Sequence, residues 1–267
     1  MPTIVNQGGA SVSATPNILL LGGTSEASAL ARLLATRGDA AVFSYAGRTT
    51  NPRGQPLPLR VGGFGGVTGL IDYLRRHGIT HLIDATHPFA ATMSAHALEA
   101  ARATDVAHVA LTRPAWRPEA GDRWRHVPDL AAAVDALDGP GRKVMLALGR
   151  MHVDRFAARP QHHYLLRFVD APEVPPALPA HNLIVDRGPF TIEGDQLLMQ
   201  EHGIELVVCK NAGGPGAVAK LAAARALGLP VLMIDRPALP DRIELHRPEQ
   251  VLDWLDHGTS SGIERGV

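Results

Sequence analysis

The chain of 267 residues is poor in cysteine and in aromatic side chains, and it carries no net charge. Its single cysteine, Cys209, excludes an internal disulfide, and the apolar run Leu206–Cys209 predicts a small side chain on a buried strand. Aromatic residues make up 4% of the sequence, which favours helices packed on a parallel sheet over an aromatic-rich β-sandwich. Because Lys plus Arg and Asp plus Glu both number 26, no overall field attracts nucleic acid or an anionic membrane.

Long apolar runs are also missing, since none reaches the length of about 18 residues that a membrane-spanning helix needs. Residues 1–16 lack the basic start and apolar centre of a secretory signal, so we interpret them as a disordered extension of a cytoplasmic protein. Residues 259–267 are expected to be a flexible tail. The 13 histidines show no spacing suited to a metal site, and no metal is expected. Nothing in the sequence indicates an oligomer, so a monomer is expected.

Short apolar runs alternate with helical patterns along the whole chain, which predicts an α/β protein with mostly parallel sheets. The alternation breaks between Thr112 and Arg125, a stretch rich in proline, glycine and tryptophan. Two sheets of about five strands each are more natural than one of ten. We therefore expect one domain over residues 17–127 and a second over residues 128–258, with a ligand in the cleft between them.

A glycine turn follows the first predicted strand, Ile18–Leu21, and precedes a predicted helix. Its residues are Gly22, Gly23, Thr24 and Ser25. Against the dinucleotide-binding pattern G-x-G-x-x-G/A, the first glycine and the final alanine match, and Thr24 replaces the middle glycine. The hydroxyls of Thr24 and Ser25 are expected to donate to a pyrophosphate at the helix N-terminus. The alternative is that Ser25 is an ordinary helix N-cap.

The second predicted strand, Ala41–Ser44, is followed by Arg48 rather than by an acidic residue. An acid in this region would accept hydrogen bonds from a ribose hydroxyl, whereas an arginine accommodates a 2′-phosphate. No acid occurs between Asp39 and Asp72, and three arginines lie in this window: Arg48, Arg53 and Arg60. The sequence therefore predicts NADPH as the cofactor and an NADPH-binding role for the first domain.

Two further segments of the first domain follow predicted strands. Four glycines surround Phe64 in Gly62–Gly66, so the backbone can pass close to a flat ligand and Phe64 can lie against a ring; the alternative is a flexible connector. Asp84–Ala90 closes the fourth strand, where open α/β sheets bind ligands. Thr86 and His87 are therefore candidates to contact cofactor or substrate, and His87 is a candidate proton donor.

In the second domain, polar and cationic residues follow the predicted strands. The strand 205–209 leads into Lys210, Asn211, Gly213 and Gly214, and Lys220 lies in the following helix. A cation stands after each of four strands: Arg150, Arg187, Lys210 and Arg236. In a protein without net charge, this clustering indicates a substrate with several carboxylates or phosphates. The alternative for Lys210 is a surface lysine without a role.

Several of these stretches together resemble the precorrin-6A reductase family of cobalamin biosynthesis, from Ile18 to about Leu255. The most specific string is DATHPFAA at Asp84–Ala91, and the least specific is the glycine turn. The other matching pieces are Ile18–Ala27, Tyr45–Thr49, Arg113-Pro114 with Trp116 and Gly121-Asp122, Arg187–Phe190, and Lys210–Gly214 with Lys220. The resemblance implies two Rossmann-like domains with the substrate, a polycarboxylate tetrapyrrole, held between them.

The resemblance also implies a reaction, in which NADPH reduces one double bond of precorrin-6A to give precorrin-6B (dihydroprecorrin-6B). Gly22–Ser25 would then hold the pyrophosphate, and Ser44, Arg48 and Thr49 the 2′-phosphate. Gly63, Phe64 and Gly65 would flank the nicotinamide together with Thr86 and His87. Substrate contacts would come from the second-domain residues and Arg113. The proton source stays open between His87, Tyr45, Lys210 and water.

Other functions fit the sequence less well or stay open. A short-chain carbonyl reductase would need Tyr-x-x-x-Lys, and no tyrosine here has that spacing. A methyltransferase would favour an acid after the second strand, which is absent. A non-catalytic NADPH-sensing regulator, or a reductase of another conjugated carbonyl or imine, stays possible on sequence grounds.

Overall fold

A computed structural model describes residues 15–45 and 54–257 of the chain, which falls into two compact units. Within the described residues, the first unit takes the chain up to Thr86, then Thr92–Thr112, then the chain from Asp241 onward. The second unit takes His87–Ala91 and Arg113–Pro240. The predicted extension up to residue 14 and the predicted tail both lie outside the described residues.

The first unit contains a sheet of six parallel strands in the order β12-β5-β4-β1-β2-β3. Its strands are β1 (Asn17–Leu21), β2 (Ala40–Tyr45), β3 (Leu59–Val61), β4 (His81–Asp84), β5 (Ala107–Leu111) and β12 (Glu244–Leu245). Its helices are α1 (Ser25–Arg37), α2 (Gly66–Arg76), α3 (Ala91–Thr104) and α7 (Pro248–His257).

The second unit contains another sheet of six parallel strands, in the order β6-β11-β10-β7-β8-β9. Its strands are β6 (Arg123–Val127), β7 (Lys143–Ala147), β8 (His163–Phe168), β9 (His181–Val185), β10 (Leu206–Lys210) and β11 (Pro230–Ile234). Its helices are α4 (Leu130–Asp135), α5 (Ile192–Glu201) and α6 (Ala219–Ala226), with 3-10 turns at Arg150–Ala158 and Pro215–Ala217.

Both sheets are buried on both faces, which explains why their central strands are continuous apolar runs. In β1, Ile18 and Leu20 pack with α1 and α7, while Leu19 and Leu21 pack with α2 and α3. In the second unit, one face of the sheet packs against α4 and the 3-10 turn at 150–158, and the other face against α5 and α6. Each unit is therefore a three-layer sandwich, and the prediction of two Rossmann-like α/β domains with parallel sheets is confirmed.

The predicted domain ranges differ from the two units at three segments. Residues 113–127, which include β6, belong to the second unit, although they were assigned to the first domain. β12 and α7 return to the first unit, although residues up to 258 were assigned to the second domain. His87–Ala91 also belongs to the second unit. The ranges 17–127 and 128–258 thus differ from the two units at these three segments.

Candidate functional site

The glycine turn after β1 is shaped by a buried aromatic ring on the neighbouring strand. The Gly22 amide donates to the Ser44 carbonyl at 2.9 Å. A Cβ at Gly22 would lie only 2.0 Å from Cζ of Phe43, so no larger residue fits without moving that ring. Gly23 has a φ of 143°, which favours glycine. The turn thus brings the backbone to the N-terminus of α1, where amides and helix dipole favour an anion.

Thr24 is the N-cap of α1, and its hydroxyl is already engaged. Its Oγ1 accepts from the Ala27 amide at 3.1 Å and donates to the Ala85 carbonyl at 2.9 Å. Its single proton is directed at the end of β4 in this structure, and its donation to a pyrophosphate stays a prediction. Ser25 is not the cap, because its Oγ donates to the Glu26 carboxylate at 3.0 Å.

Only part of the predicted phosphate site falls in the described residues. Ser44, at the end of β2, is 3% exposed, and its Oγ accepts from Nη1 of Arg60 at 3.3 Å. Arg48 and Thr49 lie outside the described residues. Arg60 was not among the predicted ligands, although it lies in the acid-free window. Its register opposite Ser44 is what brings it to this position.

The loop at Gly63, Phe64 and Gly65 lies on the other side of the glycine turn from β4. β1 and β2 lie between β4 and β3, so β3 and β4 are about 14 Å apart at the usual strand spacing. The ring of Phe64 is also occupied, because the Arg60 guanidinium lies 3.7 Å over its centroid and Tyr73 packs against it at 5.2 Å. The loop and the end of β4 thus lie on opposite sides of the glycine turn, and the expectation that the loop and Thr86 flank one nicotinamide ring stays a prediction. The loop lies on the side of the sheet where Rossmann folds hold the adenosine.

Asp84 organises the segment after β4. Its Oδ1 accepts from the Thr86 amide at 3.1 Å and from the Thr86 hydroxyl at 2.7 Å. Its Oδ2 accepts from Nη1 of Arg242 at 3.0 Å, and both side chains are nearly buried. The Thr86 proton thus points at Asp84, so Thr86 would meet a ligand as a hydrogen-bond acceptor.

His87 begins a turn that delays the start of α3 to Ala91. Its Nδ1 accepts from the Phe89 amide at 3.2 Å, and its carbonyl accepts from the Ala90 amide at 2.7 Å. An accepting Nδ1 places the proton of the neutral ring on Nε2. The ring centroids of His87 and Phe89 lie 5.9 Å apart, and Nζ of Lys210 lies 4.9 Å from the same Phe89 ring. The structure thus brings both predicted catalytic residues next to Phe89, within the second unit.

The loop after β10 is held against the chain at 113–116 by hydrogen bonds between side chains and the backbone. Asn211 accepts from the Trp116 amide at 2.8 Å and donates to the Trp116 carbonyl at 3.0 Å. The Arg236 guanidinium donates to the carbonyls of Asn211, Ala212 and Arg113 at 2.9, 3.2 and 2.8 Å. These contacts identify Asn211 and Arg236 as residues that position the loop.

Gly213 and Gly214 are required by the same packing. A Cβ at Gly213 would lie 2.2 Å from the Pro114 carbonyl oxygen, and one at Gly214 would lie 2.6 Å from Cδ of Arg113. Both have positive φ, 71° and 75°. Arg113 in turn donates from Nη1 to the Gly213 carbonyl at 3.4 Å. Packing against Pro114 and Arg113 therefore accounts for glycine at both positions, independently of the substrate contacts predicted for them.

Lys220 is turned inward in this structure, and its contact with substrate stays a prediction. Its side chain is 6% exposed, donates to the Ala217 carbonyl and lies 4.8 Å over the Trp116 ring. Burial lowers the pKa of this ammonium group below its usual value. Through these two contacts, the Lys220 side chain links the turn at 215–217 to the Trp116 indole.

The remaining predicted cations differ in how much of their charge is offset. Arg150 is exposed at the start of its 3-10 turn. Arg187 is exposed and paired with Asp170. Arg236 instead donates to three backbone carbonyls, so its guanidinium is directed at the loop after β10.

A buried ion pair in the second unit escaped prediction. Arg167 of β8 pairs with Asp195 of α5, and its guanidinium lies 3.7 Å over the Phe190 ring. These residues and their neighbours line a cavity of about 230 Å³. The only sequence signal was one arginine within the apolar strand Tyr164–Phe168.

In the described part of the chain, no group of three or more His, Cys, Asp or Glu side chains could hold a metal ion. No helix there has the length and apolarity to cross a bilayer.

Comparison with known proteins places this geometry in a family. A family model described as precorrin-6x reductase CbiJ/CobK matches residues 17–256. The chain is 59% identical to a protein of Rhodobacter capsulatus named precorrin-6A reductase, over 94% of this chain and 99% of that one. It is 44% identical to a precorrin-6A reductase of Sinorhizobium sp, over 91% of this chain and 93% of that one.

The structural comparison agrees. A solved structure titled CobK precorrin-6A reductase superimposes with a TM-score of 0.85 at 59% identity, covering 91% of this chain and 97% of that one. A family model that spans almost all of the described residues, together with this identity, leaves one assignment: the chain belongs to the precorrin-6x reductase (CbiJ/CobK) family.

Proposed function

We propose that the protein reduces precorrin-6A to precorrin-6B in cobalamin biosynthesis, with NADPH as the reductant. The observation that carries this proposal is the 59% identity to a precorrin-6A reductase over 94% of the chain. The glycine turn, the DATHPFAA segment and the loop after β10 all lie within residues 17–256, which the family model matches.

The first unit supplies the features that a dinucleotide needs. Gly22 and Gly23 let the backbone approach a pyrophosphate at the start of α1, with Ser25 beside them. Ser44 stands at the end of β2, where a ribose or its phosphate binds in Rossmann folds. Arg48 and Thr49 follow it in sequence and would complete the 2′-phosphate site. The acid-free stretch between Asp39 and Asp72 supports the phosphorylated cofactor over NADH.

NADPH, when bound, supplies the hydride. The protein's part is to orient the nicotinamide ring against the substrate macrocycle and to provide a route for the proton. Thr86, with its proton held by Asp84, would offer a hydrogen-bond acceptor to the cofactor. Tyr45 is at the end of β2 and its hydroxyl accepts from Gln55 at 2.7 Å, so it belongs to the adenosine side. The proton donor is then water, His87 through Nε2, or Lys210, and the last two lie next to Phe89.

The second unit supplies charge and shape for a polycarboxylate ring. Arg150, Arg187 and Lys210 are the cations that meet substrate carboxylates, together with Arg113. Asn211 and Arg236 hold the loop at 211–214 in place through backbone contacts, so they act on the substrate through Gly213 and Gly214. A monomer in the cytoplasm stays a prediction, which sedimentation and fractionation would test.

The direct experiment incubates purified protein with NADPH and precorrin-6A and follows the absorbance of both. Loss of both absorbances in a one-to-one ratio is the expected result, and no oxidation of NADPH would overturn the proposal. Binding of NADPH without turnover would indicate a cofactor-sensing protein instead.

A second experiment tests the cofactor choice. Arg48→Ala should raise the KM for NADPH tenfold or more, about 1.4 kcal/mol, and change that for NADH little. Arg76→Ala, an exposed arginine in the last turn of α2, is the matched control. Equal losses with both cofactors would remove Arg48 from the phosphate site.

A further inference from the structure

Arg60 occupies the end of the sheet where a Rossmann unit holds the adenosine of its cofactor. It lies on β3, in register with Ser44 of β2. β2 and β3 stand on one side of β1, and β4 stands on the other. In this strand order the adenosine lies towards β2 and the nicotinamide towards β4.

The guanidinium of Arg60 is held in a fixed orientation. Its Nη1 donates to the Gly62 carbonyl, and its Nη2 donates to the Gly63 carbonyl at 2.8 Å. The Phe64 ring lies under it at 3.7 Å. A planar fork fixed in this way loses little conformational freedom when it binds a phosphate.

The charge of Arg60 has no carboxylate partner within the described residues. Its hydrogen-bond acceptors there are two carbonyls and the Ser44 hydroxyl, all neutral groups. Partial burial lowers the pKa of the guanidinium, and among the described side chains only the Tyr73 hydroxyl opposes this shift. A partly buried cation that neutral groups surround is a strong site for a dianion.

We propose that Arg60 is a specificity-determining residue that binds the 2′-phosphate of NADPH, with Ser44 as its partner. The Ser44 Oγ accepts from Arg60, which leaves the hydroxyl proton for a phosphate oxygen. This inference rests on the proposed use of NADPH, and it names a phosphate ligand outside the segment of Arg48 and Thr49.

The test uses two soluble fragments of the cofactor, adenosine 2′,5′-bisphosphate and 5′-AMP, which differ only in the 2′-phosphate. Their dissociation constants are measured by calorimetry for the full-length wild type, Arg60→Met and Arg60→Lys. Both variants keep an aliphatic stem over Phe64, but only lysine keeps the charge. Arg76→Ala is the control for loss of an arginine elsewhere in the first unit, and thermal unfolding checks that each variant is folded.

Arg60→Met should weaken binding of the bisphosphate tenfold or more and change binding of 5′-AMP less than twofold. The affinity of Arg60→Lys for the bisphosphate should lie between those of Arg60→Met and wild type, because an ammonium group replaces a planar guanidinium. Equal losses for both fragments, or a preference for the bisphosphate that Arg60→Met retains, would overturn the role of Arg60 but not the proposed use of NADPH. Equal binding of the two fragments by wild type would overturn the NADPH proposal and this inference with it.

Discussion

Arg242 and Asp84 form an ion pair of 3.0 Å, although 158 positions of sequence separate them. The side chains are 8% and 2% exposed. Arg242 lies just before β12, and Asp84 ends β4 and holds Thr86. The pair therefore couples the returning end of the chain to a segment proposed to contact the cofactor.

Breaking this pair should destabilise the protein strongly. Asp84→Asn removes the buried counter-ion of Arg242 and leaves its guanidinium only the half-exposed Glu244 carboxylate at 3.0 Å, so we expect the free energy of unfolding in urea to fall by up to about 3–5 kcal/mol. Adding Arg242→Met to this variant should restore part of the loss. Asp170→Asn, which breaks the exposed pair with Arg187, should cost less than about 1 kcal/mol. Strictly additive effects of the two substitutions would show that the pair is not coupled.

Gly22→Ala should place a methyl group against the buried ring of Phe43. The Cβ would lie 2.0 Å from Cζ, so the ring or the turn has to move. We expect a loss of about 1–3 kcal/mol in urea unfolding, partly recovered by Phe43→Leu. Gly149→Ala, which meets nothing within 4 Å, should be nearly neutral. A neutral Gly22→Ala would contradict this account of the turn.

The side chain of Thr24, rather than that of Ser25, should stabilise the N-terminus of α1. Thr24→Val removes the bonds to the Ala27 amide and the Ala85 carbonyl, and should cost about 1–2 kcal/mol of stability. Thr24→Ser keeps both bonds and should stay within about 0.5 kcal/mol of wild type. Ser25→Ala should also be small, because that hydroxyl meets only Glu26 at the surface. A larger loss at Ser25 than at Thr24 would reverse the assignment.

Cys209 should make the protein less stable in alkali. Burial raises the pKa of its thiol from 9.0 to about 11. Between these values the unfolded thiol ionises while the folded thiol keeps its proton, so stability present below pH 9 is lost as the pH rises. Two pKa units correspond to a few kcal/mol, about 1.4 kcal/mol each. Cys209→Ala should lack this loss over the same range, and parallel pH profiles of the two proteins would contradict it.

How far the fold could be predicted depended on burial. Strands buried on both faces, such as β1 and β10, are unbroken apolar runs and were recognised with nearly correct ends. β6 was missed because its sequence, Arg-Trp-Arg-His-Val, is mostly charged and exposed at the edge of its sheet. β12 has only two residues and pairs with β5, a strand far earlier in the chain, so no local pattern could reveal it.

The sequence indicated which strand ends carry the candidate residues, but not the hydrogen bonds that those residues make. Glycines and cations at the ends of strands marked the carboxyl edges of both sheets. Whether a side chain faces a ligand or the protein depends on contacts distant in sequence, as for Arg236 with Arg113 and for Lys220 with Trp116. Arg60 was counted among the arginines of the acid-free window but was not identified as a phosphate ligand, because only its register with Ser44 brings it beside the end of β2.

The return of β12 and α7 to the first unit has a consequence for how the protein is made on the ribosome. The first unit needs β12 beside β5, and α7 beside α1, to cover its sheet. These pieces emerge only after the whole second unit has been translated. Until then the nascent first unit exposes the apolar surface that Val251 and Leu255 later cover, so it depends on a segment made after the second unit to complete its core.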